Sequence, residues 1–186
     1  MFKSLAIAGA AAFATLAFAS SSQASIYVMG QTLAASCSKA AIAGSDAQDD
    51  LQVCERAIRE EALSLEDRAA TLVNRGVIQL RRKSFDSARA DFDDALRLNP
   101  RLGDAMINRA AILIAESRFA EAVAEIDRGL ALTMETPEKA FFNRGIANEG
   151  LQDLNAAYRD YAKAASLNPA WEAPKTELAR FTIRKR

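Results

Sequence analysis

The 186-residue chain contains no histidine, only two cysteines, four prolines and eight glycines. Without histidine, the Ser-His and Cys-His catalytic pairs and the commonest zinc ligand are excluded. Lysine and arginine number 24 and aspartate and glutamate also 24, so no basic field favours nucleic acid or an anionic membrane. These shortages indicate that the protein is not an enzyme and has no catalytic residue, metal site or cofactor.

Long apolar runs are also scarce, and the one present lies at the N-terminus. Lys3 precedes an apolar run over residues 5–19, and Ser22-Gln23-Ala24 places small residues where a signal peptidase reads them. The run of about 15 residues is shorter than the roughly 20 that a membrane-spanning helix needs. We therefore expect a signal peptide over residues 1–24 and a mature chain that is periplasmic or secreted, without a membrane span. A membrane anchor is the less favoured alternative.

Cleavage of this signal peptide is a testable prediction. The small residues at positions 22 and 24 predict Ser25 as the first mature residue. The alternative is cleavage after Ala19, which would make Ser20 the first mature residue. Mass spectrometry of protein from the producing cell measures this directly. An intact Met1 on the exported protein would contradict the prediction.

The two cysteines, Cys37 and Cys54, lie in a segment over residues 25–68 that resembles a degenerate helix pair. An even number of cysteines in an exported chain predicts one disulfide bond, here between the two helices. A redox-active pair is disfavoured because the spacing is not Cys-x-x-Cys. Metal binding would need more ligands, and lipidation of Cys37 would leave Cys54 unpaired. These three alternatives remain open but less favoured.

The helices of this segment can be placed from the pattern. We expect the first helix at about residues 32–43 and a turn over Gly44-Ser45-Asp46, with Ser45 or Asp46 as the cap of the second helix. On that second helix one face is expected to carry a set of spaced apolar residues, namely Leu51, Cys54, Ile58 and Ala62.

The rest of the chain is repetitive. The triplets Asn74-Arg75-Gly76, Asn108-Arg109-Ala110 and Asn143-Arg144-Gly145 recur after 34 and then 35 residues. Each is followed at fixed distances by a small residue, a large apolar or aromatic residue and a second small residue. These are Ala88, Phe92 and Ala95; Ala122, Ile126 and Gly129; and Ala157, Tyr161 and Ala164. Such a period indicates stacked helix-turn-helix units.

This pattern resembles the tetratricopeptide repeat, including the prolines Pro100 and Pro169 near the ends of the first and third units. The resemblance implies an all-α fold, a right-handed α-solenoid with repeats at 69–102, 103–137 and 138–171 and a capping helix and basic tail at 172–186. In the first unit the helices are expected at 70–82 and about 86–98. Thr136 with Pro137 predicts a helix start. Leu178 and Phe181, with Trp171, are expected to cover the open end.

The resemblance also implies a concave groove lined by the first helix of each unit, which would bind a peptide or protein segment. We call the following set the groove residues: Val73, Asn74, Val77, Ile107, Asn108, Ala111, Lys139, Phe142, Asn143 and Ile146. Leu80 and Ile114 are expected to extend the floor. The chaperone-binding subfamily has five characteristic positions, of which only Asn108 and Lys139 match. Two alternatives are together equally open: asparagine is simply common at this position of the family, or the chain fills the groove itself.

The arginines of the three triplets occupy a position that is usually apolar in this family. Each has an acid sixteen residues later, which suggests three ion pairs between helices: Arg75–Asp91, Arg109–Glu125 and Arg144–Asp160. We expect these pairs to be structural, because partly buried charges are normally paired. The function predicted from all of these features is a non-catalytic protein-interaction module of the periplasm. The alternative is an assembly factor of an envelope complex that acts through its convex face.

Overall fold

The computed structural model describes residues 5–7, 32–132, 134 and 136–183. This part of the chain contains nine helices and two three-residue strands. In chain order they are β1 Leu5–Ile7, α1 Leu33–Ile42, α2 Gln48–Glu60, α3 Leu65–Arg81, α4 Phe85–Leu98, α5 Gly103–Ala115, α6 Phe119–Leu130, α7 Pro137–Gly150, α8 Leu154–Leu167, α9 Glu172–Ala179 and β2 Phe181–Ile183. None of the described helices combines the length and the apolar character that a membrane crossing requires.

The helices pack as consecutive pairs, which confirms the predicted all-α solenoid. The pairs α3–α4, α5–α6 and α7–α8 are the three repeats, α1–α2 is the N-terminal pair and α9 follows the last repeat. Apolar side chains from neighbouring pairs form shared clusters, so no pair buries its apolar surface alone. This dependence on neighbours is the reason that such repeats stack.

Small residues allow the two helices of a repeat to approach each other closely. A Cβ added to Gly76 would lie 2.5 Å from a ring carbon of Phe92, and one added to Gly145 would lie 2.6 Å from a ring carbon of Tyr161. The second repeat has Ala110 in place of the glycine and the smaller Ile126 in place of the aromatic residue. The size of the side chain on the first helix of a repeat is therefore matched to the size of the side chain opposite it on the second helix.

The first repeat begins earlier than the sequence analysis expected. Helix α3 starts at Leu65, five residues before the predicted Ala70, and it crosses the predicted boundary at residue 69. The Oγ of Ser64 accepts a hydrogen bond from the backbone N–H of Asp67 and donates one to its carboxylate. This Ser-x-x-Asp pattern is a variant of the capping box, and it was a readable signal for the helix start.

The N-terminal pair is linked by the predicted disulfide, Cys37–Cys54, with its Cα atoms 4.8 Å apart. Both cysteines are fully buried in the cluster that contains Val73, Val77 and Phe92, so the bond is part of the core. The Glu61 carboxylate accepts hydrogen bonds from the backbone N–H groups of Leu33 and Ala34, and it thereby ties the end of α2 to the start of α1.

Two details of this pair were predicted wrongly. The N-cap position of α2 is held by Ala47, and the Oγ of Ser45 instead accepts a hydrogen bond from the Ala47 backbone N–H and donates one to Asp50. Helix α2 ends at Glu60, so Ala62 lies beyond the helix and is exposed. The Ser45 side chain forms a hydrogen bond with the backbone of the turn before α2. The helix therefore starts one or two residues later than predicted.

At the other end, the aromatic residues cover the last repeat as predicted. Phe142 contacts Trp171 with ring centroids 4.8 Å apart, and Phe181 lies 5.7 Å from Tyr158 and 6.1 Å from Tyr161. The Tyr161 hydroxyl donates to Glu149, and Arg180 also donates to Glu149, so polar contacts secure the cap. Burial, with the nearby Glu149 carboxylate, raises the pKa of Tyr161 well above its ordinary value.

The capping helix is shorter than the predicted segment at 172–186. Helix α9 begins at Glu172, with Pro174 in its first turn, and it ends at Ala179. Residues 181–183 form β2, which pairs antiparallel with β1 in the register Leu5–Ile183 and Ile7–Phe181. Residues 5–7 were expected to lie outside the fold. The signal-peptidase motif at 22–24 and the tail at 184–186 lie outside the described residues.

Removal of residues 1–24 would therefore take β1 away from β2. A pair of three-residue strands is too short to be stable alone. The Phe181 side chain also packs against the Tyr158 and Tyr161 rings of α8, and these contacts lie outside the strand pair. We expect the solenoid to keep its fold after cleavage at Ala24.

Candidate functional site

The structure buries most of the predicted groove residues. Eight of the ten are at most 5% exposed: Val73, Asn74, Val77, Ile107, Asn108, Ala111, Phe142 and Asn143. The other two, Lys139 and Ile146, are half-buried. In the 186-residue chain these residues consequently do not form a freely open groove. A partner segment could reach the buried members only by replacing contacts that the chain already makes.

Two groove residues pack inside the repeats. A Cβ added to Gly129 would lie 2.8 Å from the Cδ1 of Ile107, so Ile107 points between α5 and α6. Phe142 contacts Tyr161 of α8, with ring centroids 5.6 Å apart, as well as Trp171. Both side chains belong to the core of their repeats, which corrects their assignment as ligand contacts. The family pattern did not show that these side chains face the core, because the direction of each side chain depends on the size of the residue opposite it.

The amide row of the groove, Asn74, Asn108 and Asn143, lies at one position of three successive first helices. The Nδ2 group of Asn143 is buried and donates no hydrogen bond to any residue that the structure describes. An unsatisfied buried donor costs about 1–3 kcal/mol. Asn143 therefore has a polar group available for an acceptor that enters this face. Lys139 lies at the start of the same helix, and burial lowers its pKa.

The predicted ion pairs are present in all three repeats. The Nε of Arg75 donates to Asp91 at 2.8 Å and that of Arg109 to Glu125 at 2.9 Å. In the third repeat the Nε of Arg144 donates to Asp160 at 3.0 Å. The three acids are nearly fully buried, at 7% side-chain exposure or less. The pairing expected within each repeat is therefore present, and the structural role of these arginines stays a prediction.

The sequence analysis missed a second acid at each junction between repeats. The Nη1 of Arg109 donates to Asp93 of α4, and the Nη1 of Arg144 donates to Asp127 of α6, both at 2.5 Å. Each of these arginines thus joins the second helix of its own repeat to that of the preceding repeat. We call Arg75, Arg109, Arg144 and their acids the arginine ladder. The sequence does indicate these contacts, because an acid follows two residues after Asp91 and another follows two residues after Glu125.

The first rung of the ladder, Arg75 and Asp91, shows how burial and pairing act on the pKa values of these groups. A hydrogen bond to Asp91 raises the pKa of Arg75, and Glu55 of α2 contributes to the same rise at longer range. Burial raises the pKa of Asp91 even though its hydrogen bond to Arg75 acts in the opposite direction. Buried ion pairs commonly show this balance.

The face formed by the second helices carries a cavity of about 240 Å³ between the second and third repeats. We call it the α6–α7–α8 cleft. Its lining residues are Val123, Asp127, Arg144, Asn148, Ala156, Arg159 and Asp160. Asp127, Arg144 and Asp160 belong to the arginine ladder, and Asn148 donates a hydrogen bond to Asp160. Of these residues the sequence analysis predicted only Arg144 and Asp160, as an ion pair.

Comparison with known proteins agrees with this architecture. A family model described as tetratricopeptide repeat matches residues 138–170. Over 95 residues the chain is 32% identical to the Hsp70-Hsp90 organizing protein of Triticum aestivum. The match covers 51% of this chain but only 16% of that relative, so similarity is limited to a repeat segment.

Two solved structures show the same fold. The first tetratricopeptide domain of Spaghetti (RPAP3), bound to the HSP90 peptide SRMEEVD, aligns with a TM-score of 0.58 and 25% identity and covers 62% of this chain and 93% of that one. PilW, described as a type IV pilus biogenesis factor, aligns with a TM-score of 0.69 and 24% identity and covers 82% of this chain and 69% of that one. Residues 138–170 of this chain thus match the tetratricopeptide-repeat model, and the chain shares the fold of solved tetratricopeptide-repeat domains.

Proposed function

We propose that the protein is a non-catalytic interaction module of the periplasm that binds a peptide or protein segment along the first helices of its repeats. Tetratricopeptide repeats mediate protein–protein interaction, and one similar domain is bound to a peptide of HSP90. The observation that carries the proposal is the amide row with the unused donor of Asn143. Amides at regular intervals suit the backbone of a bound segment, because each can pair with a peptide group.

The burial of the groove residues adds a condition to this proposal. A segment that pairs with Asn108 or Asn143 must displace the contacts that leave these residues at most 2% exposed. The measured affinity is then reduced by the free energy needed to open the face.

Asn108→Ala is the substitution that tests the amide row. We expect it to weaken partner binding by about 1–3 kcal/mol, because a desolvated peptide group of the ligand loses its partner. The measurement is calorimetric titration of the chain from Ser25 with the protein that this chain retains from an envelope extract. Asn143→Ala is expected to act in the same direction.

The matched control is Arg97→Ala on the opposite face, since the Arg97 side chain is 76% exposed. It should leave affinity unchanged. Phe142→Ala is not a suitable probe because Phe142 packs in the core of its repeat and its removal would lower stability. Unchanged affinity in both asparagine variants, with folds intact by circular dichroism, would refute binding along the amide row.

A second candidate function is that of an assembly factor which docks through the face of the second helices. The specific observation in its favour is the α6–α7–α8 cleft, together with the exposed Leu151 beside it in the chain. Titration with cleft variants distinguishes the two candidates, because the cleft and the amide row share no residue.

A further inference from the structure

The last strand, β2, is held against the third repeat by contacts that lie outside its pairing with β1. The Phe181 side chain is 9% exposed and packs against the rings of Tyr158 and Tyr161 of α8. Just before the strand, the Nη2 of Arg180 donates to the Oε1 of Glu149 of α7 at 2.6 Å. The Tyr161 hydroxyl donates to the same carboxylate at 3.0 Å. The start of β2 is thus fixed by side chains of α7 and α8.

Strand β1 occupies one edge of β2 and shows what that edge accepts. Among the described residues the sheet consists of these two strands, in an antiparallel register that pairs Leu5 with Ile183 and Ile7 with Phe181. The segment seated on β2 is therefore extended and apolar, with the sequence Leu-Ala-Ile. Strand β1 also contacts α8, so it lies against the last repeat as well as against β2.

The predicted cleavage after Ala24 removes this occupant. Because the two strands are joined through their backbones, cleavage leaves N–H and C=O groups of β2 without strand partners. Such an edge pairs readily with an extended segment of another chain. Since three residues of strand pairing are weak alone, an incoming segment needs further contacts, which α8 supplies for β1. The contacts that fix the start of β2 lower the cost of ordering this edge for a ligand.

We propose that, in the exported chain, the edge of β2 and the adjoining surface of α8 bind an extended apolar segment of a partner protein. The segment adds antiparallel to β2, in the place that residues 5–7 occupy in the 186-residue chain. Main-chain hydrogen bonds to residues 181–183 hold it, and its apolar run of at least three residues matches the sequence of β1. The site includes none of the groove residues, so it is independent of binding along the first helices, and it requires the cleavage after Ala24.

The experiment uses the isotope-labelled exported protein, whose first residue is read by mass spectrometry. The first probe is a peptide with the sequence of residues 2–10, Phe-Lys-Ser-Leu-Ala-Ile-Ala-Gly-Ala, and the second carries Val-Val-Val in place of Leu-Ala-Ile. We expect both probes, at saturation, to slow amide hydrogen exchange at one or more of residues 181–183 by tenfold or more. The matched control peptide, Phe-Lys-Ser-Leu-Pro-Pro-Ala-Gly-Ala, lacks two successive N–H groups and should leave the exchange unchanged.

Several results would overturn the inference. One is unchanged exchange at residues 181–183 with the first two probes, and another is equal slowing with the proline peptide. Slowing by the first probe alone would also overturn it, because the edge would then be specific for the chain's own N-terminal segment. Exported protein that retains Met1 would do the same, because β1 would then stay on β2.

Proline substitutions in β2 test the pairing from the side of the protein. Successive N–H groups point to opposite sides of a strand, so either Thr182→Pro or Ile183→Pro removes a donor to the incoming segment. We expect one of these variants to bind the first probe at least tenfold more weakly. Thr182→Val and Ile183→Val are the matched controls, since they keep the backbone N–H, and they should bind as the parent does. Circular dichroism checks that the helices are intact. Full binding by both proline variants would overturn the inference.

Discussion

Loss of the Cys37–Cys54 disulfide is expected to destabilise the protein by about 3 kcal/mol. The bond closes a loop with a sequence separation of 17 residues, and its removal restores the freedom of that loop in the unfolded chain. For a domain of this size, about 3 kcal/mol corresponds to a fall of roughly 6–12 °C in the thermal midpoint. The measurement is thermal unfolding of the reduced protein, followed by circular dichroism.

The same bond also contributes to packing. Both cysteines are fully buried and lie in the cluster of the first repeat, so damage to α1–α2 is expected to spread to α3. The double variant Cys37→Ala, Cys54→Ala should unfold at a similarly lowered temperature and should not respond to reductant. Two alkylatable thiols in protein taken directly from the producing cell, or a midpoint unaffected by reduction, would contradict this prediction.

Arg109→Ala is expected to cost about 2–4 kcal/mol of stability, because it removes the partner of a buried carboxylate. Arg109 pairs with Glu125, whose side chain is 3% exposed, and with Asp93 across the junction between repeats. Glu125 keeps a contact with the exposed Arg128, which limits the loss. Urea unfolding of the variant and the parent chain measures the difference.

A double-mutant cycle separates the ion pair from the packing of the arginine stem. Arg109→Leu should cost less than Arg109→Ala, since leucine restores the apolar residue usual at this family position and fills much of the stem volume. Arg109→Leu combined with Glu125→Leu should be close to neutral, because no buried charge remains. If both single substitutions at Arg109 prove neutral, the arginine ladder has no structural role.

The ladder shows how far the sequence could predict contacts. The pairing within each repeat was predictable, since Arg75, Arg109 and Arg144 each have an acid sixteen residues later and the two helices of a repeat are antiparallel. The junction contacts of Asp93 and Asp127 were not predicted. They depend on the distance between successive pairs, which is set by side-chain volumes along the whole interface.

The groove residues show the opposite case. Their positions on the first helices were predicted correctly, but the directions of Ile107 and Phe142 were not. Whether a side chain at such a position faces the groove or the partner helix depends on the space opposite, such as that left by Gly129. The α6–α7–α8 cleft was similarly unpredictable. Its lining residues come from three helices of two repeats, and a family pattern records only what the repeats share.

Site-specific photo-crosslinking tests the central claim most directly, namely that a partner segment binds along the first helices. A crosslinker replaces Ile146, or Lys139, in the chain from Ser25; both residues are half-buried, so the fold can accept the change. The control carries the crosslinker at exposed Arg97. We predict one discrete adduct with the partner from position 146 and one from position 139, and no adduct from position 97. Both adducts should be lost when Asn108→Ala is added. Adducts from position 97 alone, or none from the first helices, would contradict it.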